Sequence, residues 1–205
     1  MPFNTNVFIN CPFDPDYIVL LRPLIFTVIY VGLDPKISQT KSSSNIRINQ
    51  IKDYIRDSKY GIHDISRSKA MKKGELPRFN MPYELGLDIG CSEFGNKKNI
   101  TKKVLILDTE QYRYQKVLSD IAGQDISAHS NDPKTLVKKV RNWFSTLDDT
   151  NEYPGASEIW LAYNQFYDDL TLNLTANSYT ANDIDEMPVA DYIKFTKRWI
   201  LEFKS

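Results

Sequence analysis

The chain has 205 residues, of which 41% are apolar and 25% charged, a balance that excludes disordered and fibrous classes and leaves room for a sizeable core. Lys and Arg together number 26, as do Asp and Glu, so no bulk field draws the chain onto nucleic acid or an anionic membrane. Cys11 and Cys91 stand far apart without a partnering His/Cys cluster, which argues against a zinc site or a disulfide framework and fits a reducing cytoplasm. No basic segment followed by a small-residue cleavage site opens the sequence, so export is not expected.

In chain order, Val7-Phe8-Ile9 predicts a first strand, and Asn10 to Asp16, with two prolines and two aspartates, a loop. Leu20 to Val31 predicts a helix buried on most sides, with Pro23 in its first turn and Gly32 as its stop. The apolar stretch Tyr17 to Leu33 is interrupted by Arg22-Pro23 and is too short for a bilayer span of about 20 apolar residues. Asp34 to Ser38 is a weak second strand, followed by a polar loop at Lys41 to Ser44 ahead of Asn45. Ile48, Ile51, Tyr54 and Ile55 fall on one helical face, with Arg47, Lys52, Asp53 and Arg56 on the other.

Tyr60 to Ile65 predicts a third strand that delivers Asp64 at its end, and Ser66 to Arg78 a long basic loop. The next helix is expected near Asn80 or Met81, with Asn80 as candidate cap and Pro82 in the first turn. Lys103 to Asp108 is the clearest strand, four aliphatics bounded by charge. A loop rich in Tyr and Gln, a short helix near Val117 to Ile121, and an amphipathic helix from Asp132-Pro133 follow; Leu136, Val137, Val140, Trp143, Phe144 and Leu147 form the last helix's apolar side. Strands alternating with helices predict an α/β fold, an open parallel sheet of about five strands covered on both faces. Residues 1–147 read as this domain, and 148–205 as a linker and a helical C-terminal extension of two helices joined by a polar stretch.

Ligands of such sheets bind beyond the carboxyl ends of the strands, and the unusual polar residues map there. Asn10, Pro12, Phe13 and Asp14 follow strand one; Asp64, Ser66 and Arg67 follow strand three; Asn80, Tyr83 and Glu84 open the next helix; Tyr112 and Tyr114 follow strand four. Converging carboxylates in a cleft suit an oxocarbenium-like centre and the proton movements around it. A carboxylate at a helix N-terminus is normally held ionised by the helix dipole, which suits a nucleophile. The bland alternatives stand beside these readings. Glu84 could simply complement the dipole, Asp64 could cap the Ser66 turn, and Arg67, Lys69, Lys72, Lys73 and Arg78 could be a solvated face instead of a phosphate contact. Tyr112 and Tyr114, flanking Arg113, could stack on a base or pack on the sheet edge. His63 alternates away from Asp64 and is expected to pack against a helix; His129 is undecided.

Val7-Phe8-Ile9-Asn10-Cys11-Pro12-Phe13 resembles the first strand and Pro-Phe loop of nucleoside deoxyribosyltransferases, and Tyr83-Glu84-Leu85-Gly86 is similar to their Phe-Glu-Ile-Gly segment. TIR domains and TIR-like nucleotide-binding proteins share this flavodoxin-like architecture. Over roughly residues 5 to 147, the resemblance implies that Glu84 is the nucleophile or cation stabiliser and Asp64 a ribose or proton-handling partner, with Asn10 and Phe13 in the ligand wall. It implies cleavage of a nucleotide N-glycosidic bond, with NAD⁺ the preferred substrate, no metal and no further cofactor, a homo-oligomeric assembly, and a place in bacterial phage defence. Deoxyribosyl transfer between nucleobases and non-catalytic nucleotide sensing are the alternatives.

Overall fold

The computed structural model describes residues 3–38, 47–68, 70, 74, 76–116, 118–121, 125–147 and 150–205. The polar loop at Lys41 to Ser44 with Asn45, the loop lysines Lys69, Lys72 and Lys73, and Val117 lie outside the described residues.

Five strands, β1 (Asn6–Asn10), β2 (Asp34–Lys36), β3 (Tyr60–Asp64), β4 (Lys103–Asp108) and β5 (Ile126–Ala128), form one sheet in the order β2-β1-β3-β4-β5. All four pairings are parallel. This is the flavodoxin-like order, whose direction of winding reverses between β1 and β3. Side chains alternate across the pleat. Val7 and Ile9 of β1, with Leu105 and Leu107 of β4, enter the largest apolar cluster. Phe8 faces the opposite side, where Ile51 and Ile55 meet it.

The helices α1 (Ile18–Tyr30), α4 (Pro133–Leu147), α5 (Ala156–Ala176) and α7 (Val189–Phe203) contribute to the first cluster, and α2 (Arg47–Arg56) and α3 (Asn80–Phe94) cover the other face. The turn after α1 is built as the sequence predicts. Gly32 takes φ +85°, its N–H donates to the Ile29 carbonyl at 2.9 Å, and the Leu33 N–H donates to the Val28 carbonyl at 3.0 Å, the pair of bonds that closes a Schellman motif. Pro23, by contrast, is not in the first turn. A 3₁₀ turn over Pro15–Tyr17 feeds straight into α1, so Pro23 is internal and one intrahelical bond is forgone.

Asn80 does not cap α3. It is the first helical residue, and Phe79 holds the cap position without a side-chain bond. After β4, the Tyr- and Gln-rich segment read as a loop holds a 3₁₀ turn over Arg113–Lys116, and among the described residues the short helix expected near Val117 to Ile121 is a 3₁₀ turn over Ser119–Ile121. Beyond Leu147, a short helix α6 (Ala181–Asp185) separates α5 from α7. Its start is a full capping box: the Asp183 N–H donates to Thr180 Oγ1 while Asp183 Oδ2 accepts the Thr180 N–H. Ile159, Phe166, Leu170, Tyr192 and Ile200 of α5 and α7 pack in the same cluster as α1 and α4, so the C-terminal helices extend the core of the sheet domain.

Candidate active site

The carboxyl ends of β1 and β3 meet the first turns of α3 at the point where the strand order reverses. Asn10, last in β1, is buried; its Nδ2 donates to the Met81 carbonyl at 2.9 Å and lies 3.0 Å from His63 Nδ1. One amide thus ties β1, β3 and α3 together. Both contacts of Nδ2 lie inside the protein, so this nitrogen is not offered to a ligand. Pro12 is buried as well, whereas Phe13 is exposed with the Arg47 guanidinium 5.7 Å from its ring centroid, within cation–π range.

Glu84 is the fifth residue of α3, just past the first turn where the sequence pattern placed it. It is 6% exposed. Among the described residues, nothing donates a hydrogen bond to its carboxylate. Burial pushes the Glu84 carboxyl above the ordinary glutamate range, and the positive charge of Arg47 opposes part of that rise. Cys11 is buried beside the same group. Its thiol is pushed well up, first by burial and then by the negative charges of Asp64 and Glu84, so it is held as a thiol and not as a nucleophilic thiolate.

Asp64 ends β3 and is fully buried. Its Oδ2 accepts the Tyr17 hydroxyl at 2.5 Å and lies 3.0 Å from His129 Nε2; its Oδ1 accepts the Ser66 N–H at 2.8 Å. His129 Nδ1 accepts the Asn131 N–H at 3.1 Å, which leaves the proton on Nε2, facing Asp64. Burial alone would raise the Asp64 carboxyl, yet the bonds from His129, Ser66 and Tyr17 win and hold it below the ordinary aspartate range. The Ser66 turn cap is thus realised, and Asp64 in this arrangement is a positioning residue that anchors Tyr17 and His129.

The two arginines of the basic loop share one carboxylate. Asp14 Oδ1 pairs with Arg78, and Asp14 Oδ2 lies 3.4 Å from Arg67 Nε, so these three predicted ligand residues latch the β1 and β3 loops to each other. Arg113 does the same one strand further on. It grips both oxygens of Asp108 and donates to the Ser66 carbonyl at 2.7 Å. Asp108 still sits above the usual aspartate range because burial exceeds what Arg113 restores. Tyr114 is 2% exposed and belongs to the cluster of Ile65, Met81, Leu85, Ile106 and Ile126; it is a core residue and cannot stack on a base. Tyr112 is exposed, with φ +65°. Asn80 and Tyr83 are exposed at the start of α3.

A buried polar chain runs between β3 and α3. His63 Nε2 lies 2.9 Å from Asp88 Oδ2, and Lys102 Nζ lies 3.0 Å from Asp88 Oδ1, with all three side chains fully buried. His63 thus packs on α3, as its alternation predicts. The ammonium also donates to the carbonyls of Ile55 and Ser58.

No family model and no curated protein matches this chain.

Residues that sequence reasoning left unassigned complete the site: Arg47, Tyr17, His129, Asp88 and Lys102. Asp88 carried a readable signal, an acid one helical turn from Glu84 inside an apolar run. Arg47 looked like any charge on the polar face of α2. Among the described residues, no group of three or more His, Cys, Asp or Glu side chains could hold a metal ion, and no helix is long and apolar enough to cross a membrane.

Proposed function

We propose that this protein cleaves the N-glycosidic bond of a nucleotide, NAD⁺ in the first instance, with Glu84 at the anomeric carbon. The observation that carries the reading is a buried carboxylate to which, among the described residues, nothing donates a hydrogen bond, set at the reversal of strand order beside which ligands of such sheets bind. An unsolvated carboxylate interacts more strongly with a developing oxocarbenium ion than a hydrated one does. As the C1′–N bond breaks, its electron pair leaves with nicotinamide as a neutral base. Water then bonds to C1′ and gives up a proton, giving ADP-ribose.

Arg47 takes the part first assigned to Arg67 and Arg78. Among the described residues its guanidinium has no ion-pair partner, and it lies toward both Glu84 and the Phe13 ring, where a ligand phosphate would meet it. Deoxyribosyl transfer is the second reading, favoured by the pairing of both loop arginines with Asp14, which leaves less charge for a phosphate. A place in phage defence goes with the first reading. Incubating the intact protein with NAD⁺ and with deoxynucleosides plus a free base, then separating products by chromatography, tests both. Nicotinamide release supports the first, base exchange the second, and unchanged substrates at high protein concentration overturn both.

A further inference from the structure

Helix α3 is amphipathic in the reverse of the usual sense. Two of its charged residues, Glu84 and Asp88, are buried, and the remaining one, Glu93, is exposed. The outer face carries Phe79, Tyr83, Gly86, Gly90 and Phe94, spaced three or four residues apart and so aligned in one stripe. Phe79 is 67% exposed, Tyr83 56% and Phe94 91%. At about 200 Å² for an aromatic side chain, these rings leave roughly 400 Å² of apolar surface in water, the size of the patches that mark interaction sites on monomers.

The two glycines serve nothing inside the chain. A Cβ at Gly86 or Gly90 would meet nothing within 4 Å, and neither residue has a positive φ, so neither close packing nor backbone conformation calls for glycine. Each weakens the helix relative to alanine. Their effect is to leave a shallow notch on the outer face between Tyr83 and Phe94.

The stripe complements itself. Tyr83 and Gly90 lie equally far to either side of the midpoint between Gly86 and Leu87, and so do Phe79 and Phe94. A second α3 turned antiparallel about that midpoint sets the Tyr83 ring against the partner's Gly90, large against small, and Phe79 near the partner's Phe94. Charge agrees with this direction. The same rotation brings Glu93 level with the partner's Asn80, in the first helical turn, where the N-terminus carries partial positive charge and lacks a side-chain cap. The two Glu93 carboxylates then stand about 20 Å apart along the axis, beyond the screening length of about 8 Å, whereas a parallel pairing would set them side by side.

We propose that the outer face of α3 is the contact surface of a two-fold symmetric, antiparallel dimer of this chain, an isologous interface. The rings of both copies offer roughly 800 Å², below the standard interface of about 1,600 Å², so the dimer exchanges with monomer at a Kd of about 1–100 µM.

Sedimentation velocity of the full-length protein from about 1 µM to 1 mM should show this equilibrium. Tyr83→Glu and Gly90→Glu each raise the Kd by about tenfold or more. Gly90→Glu also keeps or raises the melting temperature, because it replaces a helical glycine in open space, so its loss of association is separated from any loss of folding. Under mild oxidation Gly86→Cys, beside the two-fold axis, forms a covalent dimer above the level of the parent protein, while Phe94→Cys, about 22 Å along the axis from its counterpart, does not. A protein that stays monomeric at about 1 mM, a dimer indifferent to both glutamate variants, or cross-linking of Phe94→Cys ahead of Gly86→Cys overturns the proposal.

Discussion

Glu84 shows how burial decides the behaviour of one side chain. Its carboxyl is raised by desolvation and partly restored by Arg47, so an activity that needs the carboxylate falls away in acid with a midpoint above the ordinary glutamate range. Arg47→Ala removes the opposing charge and moves that midpoint further up, which a pH–rate profile reads directly. Stability follows the opposite sign. A group whose folded pKa is raised contributes stability that is complete below its unfolded value and lost as pH rises through the folded value. Glu84→Gln should therefore raise the melting temperature at neutral pH, with the gain vanishing near pH 4, as scanning calorimetry at the two values would show. Gly61 makes a second residue-scale case. A Cβ there would stand 2.2 Å from Asp88 Oδ2, so Gly61→Ala is expected to cost about 1–3 kcal/mol through overpacking, measured by urea denaturation. Nothing in the sequence pattern announced that contact, because a strand glycine advertises a close approach without naming what approaches.

Among the elements, legibility tracked how much of a segment's fate was local. β4 and α4 were readable because a run of aliphatics between charges, or an amphipathic stripe, determines its own burial. The roles of the strand-end residues were not readable in the same way. Asn10, Asp64 and Tyr114 carry the right chemistry for ligand contact, yet Met81, His129 and the Ile65 cluster claim them first, and such claims are made by residues distant in sequence. The join of β3, α3 and β4 depends on the buried Lys102–Asp88–His63 chain. Removing one partner of a buried ion pair strands the other charge, so Lys102→Met should destabilise the fold by about 3–5 kcal/mol, visible as a lower midpoint in chemical denaturation with an unchanged slope.

At the scale of the whole molecule, the C-terminal helices complete the structure on the α1 face. Phe26 of α1 meets Phe166 and Trp199, with ring centroids 5.4 and 6.0 Å away. Arg22 is buried and donates to the carbonyls of Ile184 and Asp185, and Lys204 reaches the Tyr30 carbonyl at 2.8 Å. A chain ended at Leu147 would present this face of α1 to water. It should lose its cooperative thermal transition and aggregate, whereas a truly independent sheet domain would keep a sharp transition in the same calorimetric scan. The aromatic richness of the tail was plain in the sequence, but whether it served a core or an exposed surface depended on α1, a helix more than a hundred residues earlier.

The proposed cleavage depends on the Glu84 carboxylate, and the most direct measurement is turnover and ligand affinity of Glu84→Gln beside the parent protein. Loss of about 10²- to 10⁴-fold in NAD⁺ cleavage, with affinity for the nucleotide held within a few-fold, is the predicted result. Undiminished cleavage by the glutamine variant would contradict it.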